Sequence, residues 1–166
     1  METPEGLLAR LQAAGIEART IRHPPVFTVA ESQSLRGELP GAHSKNLFLA
    51  PAKGEGPYFL AVLEEARQVS VNALARAAGW GKVRMAPPEA LRETLGVEPG
   101  SVTPFGLVNA PPGTVRVVLD AELAGATGLA WFHPLVNSAS TGLKPRDLLK
   151  FLRGLGHEVA IVDLAA

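Results

Sequence analysis

The chain has 166 residues, 46% of them apolar, with a mean hydropathy of +0.14. Sixteen basic and sixteen acidic side chains cancel, and there is no cysteine. This excludes disordered composition, disulfide frameworks, thiolate metal sites and cysteine nucleophiles. It also excludes a global basic field for nucleic acid, so any such contact must be a local patch. No apolar run approaches the roughly 18 residues of a membrane span, and Met1–Glu5 lacks the basic start of a signal peptide. A cytoplasmic protein forming one domain over 1–166 is expected, without membrane contact.

Pro4 to Gly15 reads as a first helix, with Thr3 as N-cap and Leu7, Leu8 and Leu11 on the core face. Ile16 to His23 reads as a strand ending at Pro24-Pro25. A second helix is expected from Val29 to Leu39, before Pro40-Gly41. Asn46–Ala50 and Tyr58–Leu63 are strand-length apolar runs joined by a Pro/Gly loop, which predicts a hairpin. Ser70 caps a helix over Val71–Ala78, stopped by Gly79. Val83–Ala86 is a short strand, and Pro87-Pro88 opens a helix over Glu89–Leu95 that ends at Gly96. Phe105–Asn109 and Val115–Leu119 are expected to form a second hairpin across Ala110–Gly113. Gly128–His133 and His157–Val162 are the last strands, flanking a helix over Pro145–Leu155. Hairpins alternating with helices predict an α+β fold, a mixed β-sheet flanked by helices.

His23, His43, His133 and His157 have no ligand spacing, so no metal is expected. There is no nucleophile elbow, phosphate loop or dinucleotide fingerprint, so no cofactor is implied. Three segments stand out. In His43–Leu49, Lys45 sits at the mouth of an apolar strand. It reads either as a snorkelling strand-end lysine or as a fixed cation for an anionic or carbonyl group. In Gly100-Ser101-Val102-Thr103-Pro104, Gly100 permits positive φ and the prolines stiffen the chain. The segment reads as an ordinary turn or as a loop presenting backbone N–H groups to an oxyanion. In Trp131–Asn137, followed by Ser138–Thr141, His133 and Asn137 flank a strand end. They read as a core histidine and an Asn turn, or as a cluster that orients a small polar substrate.

Taken in order, these segments resemble the YbaK family of aminoacyl-tRNA deacylases, which includes free-standing editing proteins and the editing domain of bacterial prolyl-tRNA synthetases. The resemblance spans nearly the whole chain. His23–Thr28 is similar to the entry segment, Lys45–Leu49 to the lysine strand, and Gly100–Gly106 to the Gly-x-x-x-Pro loop. Phe132–Pro134 with Asn137 matches the polar cluster, and Asp147–Leu152 with Gly156-His157 the C-terminal helix and strand. Lys45-Asn46-Leu47-Phe48 is similar to the branch that clears alanine from proline tRNA. Relatives tend to carry Thr-Thr where this chain has Ser140-Thr141, which blurs the choice between alanine and serine.

The resemblance implies hydrolysis of the ester between an amino acid and the terminal ribose of tRNA. It implies that the Gly100–Pro104 backbone (Gly100, Ser101, Val102, Thr103, Pro104) holds the aminoacyl end. It implies that Lys45 engages the terminal nucleotide or the aminoacyl group, and that a ribose hydroxyl helps activate water. Asn46, His133 and Asn137 are assigned to substrate orientation. Phe27, Leu47 and Val102 are expected to form an apolar wall. Asp120 is read as a cap and Asp163 as a strand-end charge. A proline pocket cannot strongly exclude the smaller alanine, because a methylene is worth only about 1–3 kcal/mol; a second, smaller pocket supplies the rest. Lys53, Lys82 and Arg84 are expected to meet tRNA phosphates. The expected partners are the acceptor end of aminoacylated tRNA and prolyl-tRNA synthetase. Three alternatives remain open. They are removal of cysteine or serine instead of alanine, a non-catalytic RNA-binding module, and a DNA-binding regulator, against which the absent basic recognition helix argues.

Overall fold

The computed structural model describes residues 1–25 and 39–165. Helix α1 (Pro4–Ala13) starts where Thr3 Oγ1 accepts the Gly6 N–H at 3.0 Å, and it buries Leu7 and Leu11. Strand β1 (Arg19–Arg22) follows. The hairpin expected from the two apolar runs is present as β2 (Ala42–Pro51) and β3 (Tyr58–Glu64), in regular antiparallel register from Ser44↔Glu64 to Leu49↔Phe59. Helix α2 (Val71–Ala78) begins at a Ser70 cap, ends at a left-handed Gly79, and leads to β4 (Val83–Met85). Helix α3 (Pro88–Leu95) closes at left-handed Gly96. The helix expected over Val29–Leu39 lies outside the described residues up to position 38.

The second hairpin does not form. Pro104–Asn109 is a 3-10 helix, capped by Thr103, whose Oγ1 accepts the Phe105 N–H at 3.2 Å. Pro104 has no N–H for a ladder and its fixed φ suits a first helical turn. Gly106 is pressed against α3: a Cβ there would lie 2.8 Å from the Leu95 Cβ. Strand β5 (Val115–Asp120) is therefore free to pair in parallel with β3 on one side and with β8 (Val159–Val162) on the other.

Asp120 ends β5 and caps the short α4 (Ala121–Ala124), a helix the sequence pattern does not announce. Next come β6 (Ala130–Phe132), β7 (Ala139–Leu143) and α5 (Pro145–Gly154). Strand β7, which the sequence pattern does not announce, is a buried strand between β1 and β6. Its small residues make room for a neighbour, since a Cβ on Gly142 would meet the Trp131 ring at 2.9 Å.

The eight described strands run β1-β7-β6-β2-β3-β5-β8, with β4 also on β2. Parallel and antiparallel pairs coexist, so the mixed sheet flanked by helices is as expected. One face carries the main core, where Phe48, Leu60, Val62, Val117, Leu119 and Phe132 meet α1, α3, the 3-10 helix and α5. The other carries a smaller cluster of Leu49, Phe59, Ala61, Leu63, Leu74 and Leu164, covered by α2.

Candidate active site

The site begins with a change of partner along β2. One edge of β2 is paired with β3 from Ser44 to Leu49. On the other edge, β6 pairs in parallel at Ala42↔Ala130 and His43↔Trp131, and β4 pairs from Leu49 to Pro51. Between these, no described strand pairs with residues 44–47 on that edge, and the Ala86 N–H after β4 donates to the Phe48 carbonyl at 3.1 Å. Ser44 Oγ donates to the Trp131 carbonyl at 2.9 Å where β6 departs. Lys45, Asn46 and Leu47 therefore sit, half-buried, where the second edge of a central strand has no described strand beside it.

Strand alternation divides these residues between two faces. Asn46 shares its face with Phe48 of the main core, whereas Lys45 and Leu47 share theirs with Leu49 of the smaller cluster. Leu47 packs against that cluster and Val102 against the main core, so the structure does not place these two in one wall. Phe27 lies outside the described residues.

On its face, Asn46 has a buried Oδ1 without a hydrogen-bond partner, while Nδ2 makes a long contact of 3.4 Å to Ser44 Oγ. Such an atom costs about 1–3 kcal/mol unless something pairs with it. On the same face lies the loop after α3. Ser101 N–H donates to the Glu98 carbonyl at 2.9 Å and closes a turn, and Thr103 is fully buried. Among the described residues, no hydrogen bond engages the N–H groups of Gly100, Val102 or Thr103. Gly100 does not take positive φ, so its freedom is not used in the expected way. The stiffness comes instead from the closed turn and from Pro104 at the start of the 3-10 helix.

Phe105, next in the chain, stacks edge-on against Phe132 at 6.0 Å between ring centroids. That pair joins the Gly100–Pro104 loop to β6, and β6 adjoins β2. Phe48, Val102, Phe132 and Leu135 thus link the lysine strand, the loop and the His133 segment through the main core.

The loop from His133 to Asn137 turns through Leu135, the one described non-glycine residue with positive φ, at 70°. Strain of this kind costs about 1–3 kcal/mol and persists where packing enforces it; Leu135 is buried. His133 Nδ1 donates to the Ala139 carbonyl at 3.0 Å. Burial pushes its pKa below the ordinary 6.5; the Ala139 carbonyl pulls it back up, and the neighbouring His23 lowers it further. The ring is therefore neutral near pH 7. His23 lies 6.4 Å away between centroids and pairs through Nε2 with Ser140 Oγ at 2.8 Å. Thr20 and Thr141 pair through their hydroxyls at 2.8 Å. This hydroxyl–imidazole network along β1 and β7 is hidden in the sequence because no strand is expected over Ala139–Leu143.

On the opposite face, Lys45 Nζ donates to the backbone carbonyl of Arg67. An ammonium has three N–H donors, so two remain for a ligand. Arg67 is itself held by Asp120, with Nε–Oδ2 at 3.0 Å and Nη2–Oδ1 at 3.1 Å. Burial alone would raise the Asp120 carboxyl, but Arg67 and the N–H groups of Glu64 and Glu122 hold it below the ordinary value. The cap reading of Asp120 is correct but incomplete, since it misses the buried ion pair.

Lys53 in the β2–β3 loop, Lys82 just before β4 and Arg84 on β4 are exposed. None of them forms an ion pair among the described residues. A cleft of about 560 Å³ between α2 and β4 adds Arg76 and Trp80 beside Lys82. No cluster of three or more metal-ligating His, Asp or Glu side chains occurs among the described residues. No described helix is long and apolar enough to cross a membrane.

A family model for the aminoacyl-tRNA editing domain matches residues 23–151, from the His23 network to α5. The chain belongs to the aminoacyl-tRNA editing domain family. Among its relatives is the prolyl-tRNA synthetase associated domain-containing protein 1 of Bos taurus. It is 40% identical over 165 residues, 98% of this chain and 95% of that protein. The prolyl-tRNA editing protein ProX of Acetoanaerobium sticklandii is 31% identical over 164 residues, covering 99% of both chains. A solved structure of a candidate trans-editing enzyme for prolyl tRNA synthetase superposes with a TM-score of 0.72 at 24% identity, over 99% of each chain. It shares the fold.

Proposed function

We propose that this chain is a trans-editing hydrolase that removes alanine from mischarged proline tRNA. The observation that carries this reading is the pairing of a buried, unpartnered acceptor with free backbone donors on one face beside an open strand edge. An aminoacyl ester needs both kinds of group. Its α-ammonium requires an acceptor, which Asn46 Oδ1 offers. Its carbonyl gathers negative charge when water attacks, and the N–H groups of Val102 and Thr103 are suited to that oxyanion.

The chemistry is an ester hydrolysis. Water adds to the carbonyl carbon, the tetrahedral intermediate collapses, and the ribose oxygen leaves with a proton. A ribose hydroxyl of the substrate assists the attacking water. Lys45, on the other face of the open edge, holds the terminal nucleotide so that the ester straddles β2. His133 and Asn137 orient the end of the chain, with neutral His133 offering Nε2 as an acceptor. The exposed cations Lys53, Lys82 and Arg84, joined by Arg76, meet acceptor-end phosphates. Prolyl-tRNA synthetase, which makes the mischarged product, is the upstream partner in the cytoplasm.

Alanine fits because selection at such a site is by size. A pocket that rejects proline sterically complements a synthetase pocket that cannot reject alanine. Incubation with Ala-, Ser-, Cys- and Pro-charged tRNA(Pro) tests the reading. Alanine is expected to be released fastest, with Pro-tRNA intact. Faster release of serine or cysteine overturns the alanine assignment, and no release from any substrate overturns the enzyme reading in favour of an RNA-binding module.

A further inference from the structure

The Lys45 ammonium is not aimed by its own strand alone. Its Nζ donates to the carbonyl of Arg67, which sits in the turn leaving β3. That turn is tied down at several points. Arg67 N–H donates to the Glu64 carbonyl at 3.0 Å, and Glu65 N–H donates to the His43 carbonyl at 2.9 Å. The Arg67 guanidinium forks onto fully buried Asp120 and reaches exposed Glu122 Oε2 at 2.7 Å. Asp120 Oδ2 also accepts the Glu64 N–H at 3.1 Å, and Oδ1 accepts the Glu122 N–H at 3.1 Å. One carboxylate therefore joins the ends of β3 and β5 and the start of α4. The bidentate geometry fixes the guanidinium in plane and direction, and with it the backbone of residue 67. Together with Glu122, the same carboxylate offsets the Arg67 charge beside a second cation, Lys45.

We infer that Asp120 and Arg67 are positioning residues: together they fix the carbonyl that holds the Lys45 ammonium in place for the reacting end of the substrate. This inference rests on the role given to Lys45 above. A salt bridge that served stability alone would need no carbonyl pointing at Lys45. Nor would it need to sit at the end of the strands where Lys45 emerges.

The test uses the full chain and four variants: Lys45→Ala, Arg67→Ala, their double mutant and Arg67→Lys. Arg67→Ala leaves the fully buried Asp120 carboxylate without its fork, and Asp120→Asn leaves Arg67 without its own. Each variant is therefore first checked for folding by circular dichroism, rates are read per folded molecule, and Arg67→Lys keeps a positive charge beside Asp120. Single-turnover release of alanine is measured alongside binding of uncharged tRNA and the hydrogen-exchange rate of the Lys45 ammonium by NMR. Arg67→Ala is expected to lower the rate by about tenfold at unchanged affinity and to speed ammonium exchange at Lys45. In the Lys45→Ala background it should lower the rate no further, since residues acting through one group are not additive. Arg67→Lys, which keeps the charge but not the fork, should recover less than half of the loss. An equal loss in both backgrounds, or unchanged Lys45 exchange in Arg67→Ala, overturns the positioning role. A normal rate in Lys45→Ala itself overturns the Lys45 reading, and the positioning role with it. A slow Lys45→Ala beside a fast Arg67→Ala overturns the positioning role alone.

Discussion

The two halves of β2 make a controlled contrast within one strand. From Phe48 to Ala50 the side chains are buried, Phe48 and Leu49 are engaged on both edges, and each face has a hydrophobic cluster to fill. From Ser44 to Leu47 one edge has no described strand beside it, and the side chains are half-buried and partly polar. The backbone register with β3 is continuous across both halves. The difference lies in the second neighbour. Where β4 supplies a strand, the residues stabilise the fold. Where β6 has left and β4 has not arrived, Asn46 keeps a buried acceptor unpaired and Lys45 keeps two donors. A sheet that splits around one strand thus places chemistry on a rigid element without giving up its core.

The largest expected effect is on the packed half. Leu49 is fully buried in the smaller cluster. Leu49→Ala should cost about 2–5 kcal/mol, the range for such truncations. Chemical denaturation reads this, and release of alanine per folded molecule should stay near normal. An equal loss of catalytic rate in the folded fraction would mean that the two halves are not functionally separate.

Lys45→Ala should invert that pattern. We expect roughly a hundredfold or greater loss in single-turnover release of alanine, the scale for removing a preorganised electrostatic contact. Thermal stability should change little, because the ammonium is half-buried and bonded to one carbonyl. Lys45→Arg should not restore the rate, since a guanidinium is planar and longer. If Lys45→Ala binds tRNA tenfold worse yet hydrolyses bound substrate normally, the lysine serves affinity and the contrast fails.

Asn46→Ala sharpens the contrast within the open half. It removes an acceptor that already lacks a partner, so stability should hold or rise slightly while alanine release slows by about tenfold. A marked fall in melting temperature would show that Asn46 is structural.

Much of this was legible in advance, for reasons that differ by element. The β2–β3 hairpin and α2 were readable because apolar runs, a Ser cap and a Gly stop agree locally. The 3-10 helix was misread because Phe105–Asn109 has strand-like composition, and its fate is decided by the Thr103 cap and by contact with Leu95. Strand β7 was missed because Ala139, Ser140 and Gly142 look like loop residues until Trp131 is seen to need the space. In the site, the three segments could be singled out, but not their distribution over two faces. Lys45 and Asn46 are neighbours in sequence and for that reason alternate across the sheet. The Arg67–Asp120 fork joins residues 53 apart, and no local pattern signals it.

The pH dependence of stability should reveal two titrations of opposite ends of the region. His133 has a pKa lowered below 6.5, with burial the leading cause. Above pH 6.5 both folded and unfolded forms are neutral there and nothing changes. As pH falls from 6.5 toward the folded value, the unfolded chain takes up a proton first, and stability declines by at most about 1.4 kcal/mol per pH unit in that window. Asp120 also has a lowered pKa, so its contribution is present above 3.8 and is lost as pH falls through the folded value. His133→Asn should remove the upper window and leave the lower one. An unchanged upper window overturns its assignment to His133.

The smallest effect concerns the cations at the far end of the packed half. Pairing of Ala50 with Arg84, and the 2.8 Å bond from Ala52 N–H to the Lys82 carbonyl, bring β4 and its charges beside Lys53. With zero net charge on the chain, about two to four phosphate contacts are expected, each contributing about 0.7–0.9 to the log–log salt slope of tRNA binding. Lys82→Ala and Arg84→Ala should each lower that slope by roughly one contact while bound substrate is hydrolysed at the normal rate. These cations act before the reaction, by holding the duplex end, whereas Lys45 acts on the strand whose edge is open. A steep slope, like that of a large DNA-binding dimer, would show a wider basic face than β4 and the β2–β3 loop supply. A slope that ignores both substitutions would move the phosphate contacts away from the packed half of β2 altogether.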